Sequence, residues 1–128
     1  PTEENYTYKL CCANVSSVQT TTGTGTCESV LGPSFTGLIT LATNSTFDKN
    51  TNAQVERYNY TGTDGFDYKK NVCVKLTSGS LNCRYMSTAA CELWAEPKGK
   101  VISLSSNTNA HIGNNTAYPD LVLCCKTE

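Results

Sequence analysis

The 128 residues carry a net charge of −1, from 10 basic and 11 acidic side chains, which gives no electrostatic footprint for nucleic acid or an anionic membrane. The length suits one domain, and no apolar run approaches the roughly 18 residues that cross a bilayer. Charged residues are only 16 %, whereas Ser and Thr number 30 and Asn 12, so hydroxyls and amides wet this surface where a cytosolic domain would use Lys and Glu. That bias is common in secreted β-rich proteins and in surface-layer or filament proteins.

In chain order, the opening Pro1-Thr-Glu-Glu reads as an end left by processing. Tyr6, Tyr8 and Leu10 then alternate with polar residues, which predicts an extended strand over residues 1–10. Thr20–Thr26, rich in Thr and Gly, reads as a flexible polar loop. Gly37–Ala42 is an apolar run suited to a buried strand, and Val55–Tyr60 alternates less cleanly. Asn71–Leu76 and Leu81–Met86 flank Thr77-Ser-Gly-Ser80, a hairpin signal in which Gly79 supplies positive φ. Ser87–Ala95 is the best helical candidate, with Ser87 as cap and Pro97 as stop. Lys100–Ser105 and Leu121–Cys125 complete the strands. The expected fold is all-β: a disulfide-stabilised sandwich or open barrel with short strands and at most one short helix. The expected organisation is an N-terminal strand, 1–10, ahead of a single β domain, 11–128.

Eight cysteines, Cys11, Cys12, Cys27, Cys73, Cys83, Cys91, Cys124 and Cys125, form an even set that points to an oxidising, extracellular or cell-surface setting. All eight are expected in disulfides. Adjacent residues of a strand face opposite sides, so Cys11-Cys12 and Cys124-Cys125 should each reach two different partners, one of them inward. The outward thiols would staple loops or bond a neighbouring subunit, and Cys83–Cys91 would close a short local loop. Asn5, Asn14, Asn44, Asn59 and Asn114 stand in Asn-x-Ser/Thr sequons, so covalent N-linked glycans are expected. Asn71-Val-Cys73 is a rarer acceptor form whose cysteine is better placed in a disulfide.

Little in the chain suggests catalysis. His111 is the one histidine, and eight paired cysteines leave no nucleophile beside it. It reads instead as ordering a turn among Ser105, Ser106, Thr108 and Asn109. Adjacent cysteine pairs chelate a tetrahedral zinc ion poorly. Asp64-Gly-Phe-Asp67, even with Asp48 and Glu56, falls short of a calcium loop and reads as a turn. No catalytic residue, metal or cofactor is therefore assigned. Tyr58, Tyr60, Phe66 and Tyr68 could line a sugar platform, but alternating aromatics in strands more often half-bury in a sheet.

The two ends echo each other: Tyr8-Lys-Leu-Cys-Cys12 against Val122-Leu-Cys-Cys125, with Tyr118 upstream. Either these are two strands of one type in one domain, or the chain is a unit of a linear array. The segment Ser105-Ser-Asn-Thr-Asn-Ala-His111, followed by Tyr118 and Cys124-Cys125, resembles a motif of cysteine-containing modules in extracellular surface and filament proteins of prokaryotes, often archaea. That resemblance covers about 25 residues directly and implies a structural module without catalytic residues. Residues 1–10 form either an edge strand of their own domain or a strand added to an exposed edge of another copy, with Tyr6, Tyr8 and Leu10 as the subunit interface. The expectation is a structural subunit of a glycosylated extracellular filament or fibril, a homopolymer assembling head to tail. Its partners are copies of itself and glycans, with no nucleic acid and no membrane span. The alternative is a secreted carbohydrate-binding or adhesion module, and a small secreted inhibitor or toxin ranks below both.

Overall fold

The computed structural model describes residues 14–22, 25–42, 55–61, 68–94 and 98–128. In chain order they form β1 (Val15–Thr22), α1 (Cys27–Leu31), β2 (Thr36–Ala42), β3 (Val55–Arg57), β4 (Tyr68–Leu76), β5 (Leu81–Met86), α2 (Thr88–Leu93), β6 (Lys98–Leu104), β7 (Ile112–Gly113) and β8 (Val122–Thr127). The strands make two antiparallel four-stranded sheets, ordered β1-β4-β2-β3 and β5-β8-β6-β7. The all-β, disulfide-stabilised expectation holds, as a sandwich rather than a barrel. Leu38, Ile39, Val55 and Val74 of the first sheet meet Ile102, Leu104, Leu123 and Cys125 of the second in one buried core. No described helix is long and apolar enough to cross a membrane.

The two sheets repeat one design. In each, the chain runs strand, short helix, two strands, and a last strand that inserts beside the first. The helix of each half is bonded to that last strand, through Cys27–Cys73 and through Cys91–Cys124. One bulge is shared as well. β2 pairs Gly37 with Cys73 and then Ile39 with Val72, skipping Leu38; β6 pairs Lys100 with Cys124 and then Ile102 with Leu123, skipping Val101. A bulge of this kind turns two consecutive side chains toward one face. Leu38 and Ile39 thus both reach the core, as do Val101 and Ile102.

Four expectations need correction. Thr20–Thr22 belong to β1, where the Thr-rich stretch pairs with Asn71, Val72 and Lys70 of β4. A second helix, α1, exists; Thr26 caps it by accepting a hydrogen bond from the Ser29 amide. β4 and β5 are not a hairpin. Gly79 does take φ 75°, but residues 77–80 carry the chain from one sheet to the other, and each strand pairs elsewhere. A Cβ at Gly79 would lie 2.8 Å from the Glu128 carbonyl oxygen, so glycine meets both a backbone and a spatial demand there. Finally, Cys83 and Cys91 do not bond each other. Cys83 lies directly opposite Cys125 across β5 and β8 and is bonded to it, while Cys91 turns outward on α2 to Cys124.

The expected helix at Ser87 is present: its hydroxyl accepts from the Ala90 amide and α2 follows. The alternation argument for adjacent cysteines also holds at the C-terminal pair. Cys125 points into the inter-sheet core, and Cys124 into a smaller cluster with Cys91, Val122 and Trp94 on the outer face.

Candidate functional site

Among the described residues, the sandwich is incompletely closed at the end where the chain crosses between sheets. Val15, Leu38, Val74 and Leu76 on one side and Leu81 and Val101 on the other line a groove of about 680 Å³. That volume lies within the roughly 300–1,000 Å³ typical of pockets that receive a guest. Its walls are apolar because these residues continue the core outward; Val15, Leu81 and Val101 are only partly buried against it. Its rim is polar and internally paired. The Asn14 carbonyl accepts from the Thr77 amide at 3.0 Å and the Thr77 hydroxyl at 3.2 Å. Ser80 and Glu128 exchange backbone hydrogen bonds, and the Asn82 amide donates to the Glu128 carboxylate at 2.7 Å.

Beside the groove runs β1, an eight-residue edge strand bonded only to β4 among the described residues. Its sequence, Val-Ser-Ser-Val-Gln-Thr-Thr-Thr, carries no charge and no proline, the usual devices that blunt an edge. Val18 is 61 % exposed although it lies opposite the buried Val74. By register, Val18–Val74 occupies in the first sheet the place of Cys83–Cys125 in the second. One half therefore has its first strand bolted to its last, and the other has an apolar pair with one member left in solvent.

Each side chain singled out by the sequence has a place or lies outside the described residues. Tyr6, Tyr8, Leu10, Cys11, Cys12, Asn5, Asn44, Asp48, Asp64, Phe66, Asp67 and Pro97 lie outside them. The sequon residues Asn14, Asn59 and Asn114 are exposed, as glycan attachment requires. Asn14 and Asn59 adopt left-handed backbone, at φ 59° and 58°, which Asn tolerates better than most residues. The Asn114 side-chain oxygen accepts from the amide and the hydroxyl of Thr116, the third residue of its own sequon. Asn71, by contrast, is buried. Its amide donates to Thr21 and to the Gly25 carbonyl, and its oxygen accepts from the Thr40 hydroxyl.

The Ser105–His111 segment is a docking turn. Ser105 and His111 are joined by backbone, and the Ser105 hydroxyl accepts from the His111 amide at 2.9 Å. The Ala110 amide donates to the Val55 carbonyl, and Arg57 donates its amide to Asn107, so the turn clips the second sheet onto β3. His111 thus orders the turn through its main chain, while its side chain is exposed.

Tyr58, Tyr85 and Trp94 pack within the fold, whereas Phe66 and the Tyr68 side chain lie outside the described part. The Tyr58 hydroxyl accepts from the Cys27 amide at 2.7 Å and donates to Glu28 at 2.8 Å, tying β3's end to α1. Burial holds its phenol up at about 12. Its ring lies over Gly37, where a Cβ would come within 2.2 Å. Tyr85 is more deeply buried, which also raises its phenol, and donates to the Leu38 carbonyl across the sheets at 2.6 Å. Trp94 lies 5.6 Å from the Arg84 guanidinium and 5.2 Å from the Lys126 ammonium, measured from its ring centre.

The groove went unpredicted because its walls come from segments far apart in sequence. The one usable signal was the uncharged, proline-free run of β1. No protein-family model, no curated protein and no solved structure matches this chain.

Proposed function

We propose that this protein is a structural subunit of an extracellular, glycosylated filament or fibril, polymerising head to tail when the N-terminal strand of one copy adds to the next. The observation that carries the reading is the apolar inter-sheet groove with the unblunted edge β1 beside it. An incoming strand would gain main-chain hydrogen bonds at the edge and insert alternate side chains between the sheets. Tyr6, Tyr8 and Leu10 have that alternation. The chain outside the described residues joins them at Asn14, on the groove's rim. Thirteen residues reach at most about 45 Å when extended, which is ample to leave one copy and enter another.

Three disulfides call for an oxidising environment, and three exposed sequons suit a sugar-coated exterior. For the competing carbohydrate-binding reading, the side chains of two of the four platform candidates are described, and the Tyr58 hydroxyl and the Tyr60 ring both have partners within the fold. No observation among the described residues favours that reading over the filament.

Electron microscopy of the unreduced secreted protein tests the proposal. The full chain is expected to form filaments, and a chain lacking residues 1–10 is expected to stay as particles that bind a synthetic peptide of residues 1–10. Discrete single-domain particles from the full chain would sink the reading, as would filaments that survive the deletion.

A further inference from the structure

The balanced total of 10 basic and 11 acidic residues hides an uneven distribution. Four of the cations meet on the outer face of the second sheet. Arg84 and Lys100 stand opposite Cys124, and Lys98 stands opposite Lys126. Cross-strand partners share a face, and Cys124 and Lys126 are two residues apart on β8, so all four cations share the face on which Cys124 packs against Cys91. Strands about 4.8 Å apart, with rows about 7 Å apart, make this a compact grid. The framework does not demand it. In the first sheet the two residues opposite Cys73, the counterpart of Cys124, are Gln19 and Gly37.

The grid is held at a cost. Like charges directly opposite on neighbouring strands repel, and Lys98 and Lys126 are such a pair. Arg84 and Lys126 both lie over the Trp94 ring. Part of the repulsion is offset within the fold. Lys98 donates to the Glu92 and Trp94 carbonyls at 2.9 and 2.8 Å, Lys100 pairs with Glu92 at 3.3 Å, and Lys126 approaches Glu128 at 3.8 Å. Both carboxylates are half exposed or more, so these ion pairs are weak and readily exchanged for another anion. Four cations against two carboxylates leave the face net positive among the described residues.

A second observation adjoins the first. Leu93, the last residue of α2, is 89 % exposed, more than any other large apolar side chain among the described residues. It stands between Glu92 and Trp94, the two residues whose carbonyls Lys98 holds. An apolar prong beside a half-buried indole, surrounded by Lys and Arg, matches an anionic lipid surface in every part. The prong suits acyl chains, the indole suits the headgroup level, and the cations suit phosphates. A nucleic acid or an acidic polysaccharide would engage the cations and leave Leu93 in water.

We infer that this face is a docking surface for an anionic phospholipid bilayer. Leu93 enters the edge of the acyl region, while Arg84, Lys98, Lys100 and Lys126 lie against headgroup phosphates. The contact is peripheral, and it stands apart from the filament reading, since none of these residues lines the groove.

The chain carries a single tryptophan, so its emission reports on this face alone. Given vesicles of phosphatidylcholine mixed with phosphatidylglycerol, the full chain should co-sediment, its emission should shift to the blue, and brominated acyl chains should quench it. Vesicles of phosphatidylcholine alone should do none of this. Binding should fall steeply as salt rises from ~0.1 M to ~1 M, which shortens the Debye length from about 10 Å to about 3 Å. Leu93→Ser should weaken binding about tenfold and Arg84→Gln about fivefold, the losses expected for one inserted apolar side chain and one headgroup cation. Leu93 is exposed, so Leu93→Ser should leave the urea midpoint unchanged and separate lost binding from lost folding. No binding to either vesicle, equal binding to both, binding without quenching, or full binding by Leu93→Ser would each overturn the inference. So would binding to a soluble uronate polymer or to DNA without binding to vesicles, which would assign the cations to a polyanion that has no bilayer.

Discussion

The halves of this chain, β1 to β4 and β5 to β8, share topology, helix placement and bulge, yet they are held together differently. In the row that pairs the first, last and second strands, the first half places Thr21, Asn71 and Thr40, a buried hydrogen-bonded ladder. The second half places Met86, Val122 and Ser103 there, and Val122 packs with Cys91 and Cys124. The second half also adds Cys83–Cys125 where the first has Val18 and Val74. One framework is thus stable with either polar or apolar cement, provided the helix stays tied to the last strand. No described disulfide joins the halves. Their union rests on the shared core, on the Tyr85–Leu38 and Thr36–Leu81 hydrogen bonds, and on the turn at Ala110.

The largest expected effect comes from removing the cystine that the first half depends on. Cys27→Ala with Cys73→Ala frees a loop with a sequence separation of 46 and should cost about 4 kcal/mol by loss of chain constraint, or on the order of 15 °C in Tm. Cys83→Ala with Cys125→Ala should cost less, about 2.6 kcal/mol in the same entropic account, because Cys91–Cys124 still closes most of that loop. Scanning calorimetry of the two double variants checks the asymmetry, and equal losses would show that the halves do not differ in this way.

Next in size is an exchange of cement. Asn71→Val imports the second half's residue and should destabilise by about 2–3 kcal/mol, since the Gly25 carbonyl and the Thr21 hydroxyl lose their donor in a buried site. Urea unfolding at unchanged slope would measure it. A neutral result would mean that the polar ladder is dispensable.

The smallest effect is on pH dependence. Burial raises the Tyr58 phenol to about 12, against about 10 in an unfolded chain. The folded state therefore favours the neutral phenol. This contribution is complete below about pH 10 and lost as pH rises through about 12. Alkaline titration of phenolate absorbance should show a late-ionising tyrosine that Tyr58→Phe removes, along with part of the alkaline loss of stability. A titration unchanged by Tyr58→Phe would contradict the assignment.

Much of the fold was legible because burial leaves a local mark. The apolar runs at Gly37–Ala42 and Leu121–Cys125 lie in central strands, and Ser87 announced α2 by capping chemistry that acts within four residues. β1 was hidden because its outward face is Ser and Thr, which a loop also uses. α1 was hidden because five residues cannot display a helical period. The Thr77–Ser80 turn was read correctly as a turn and wrongly as a hairpin. Gly79 is required whether the strands pair or part, and only the long-range register of β4 with β1 and β2 decides. Cystine pairing failed at Cys83–Cys91 for the same reason, since the partner opposite Cys83 is fixed by a strand about forty residues away. The groove, assembled from six strands and a crossing, had no compact local signature.

The adjacency of first and last strands has a mechanical consequence. Val15 lies opposite Leu76, and Leu81 opposite Thr127, so each half receives and releases the chain at the same end. Tension applied along the chain would then peel hydrogen bonds one pair at a time instead of shearing them together. In the second half the peel meets Cys83–Cys125 at the third residue of β5 and stops. In the first half it meets no disulfide among the described residues until β1 has come away whole, up to Cys27. Pulled by its two ends, the chain would lengthen by yielding its first strand while the second sheet stays intact.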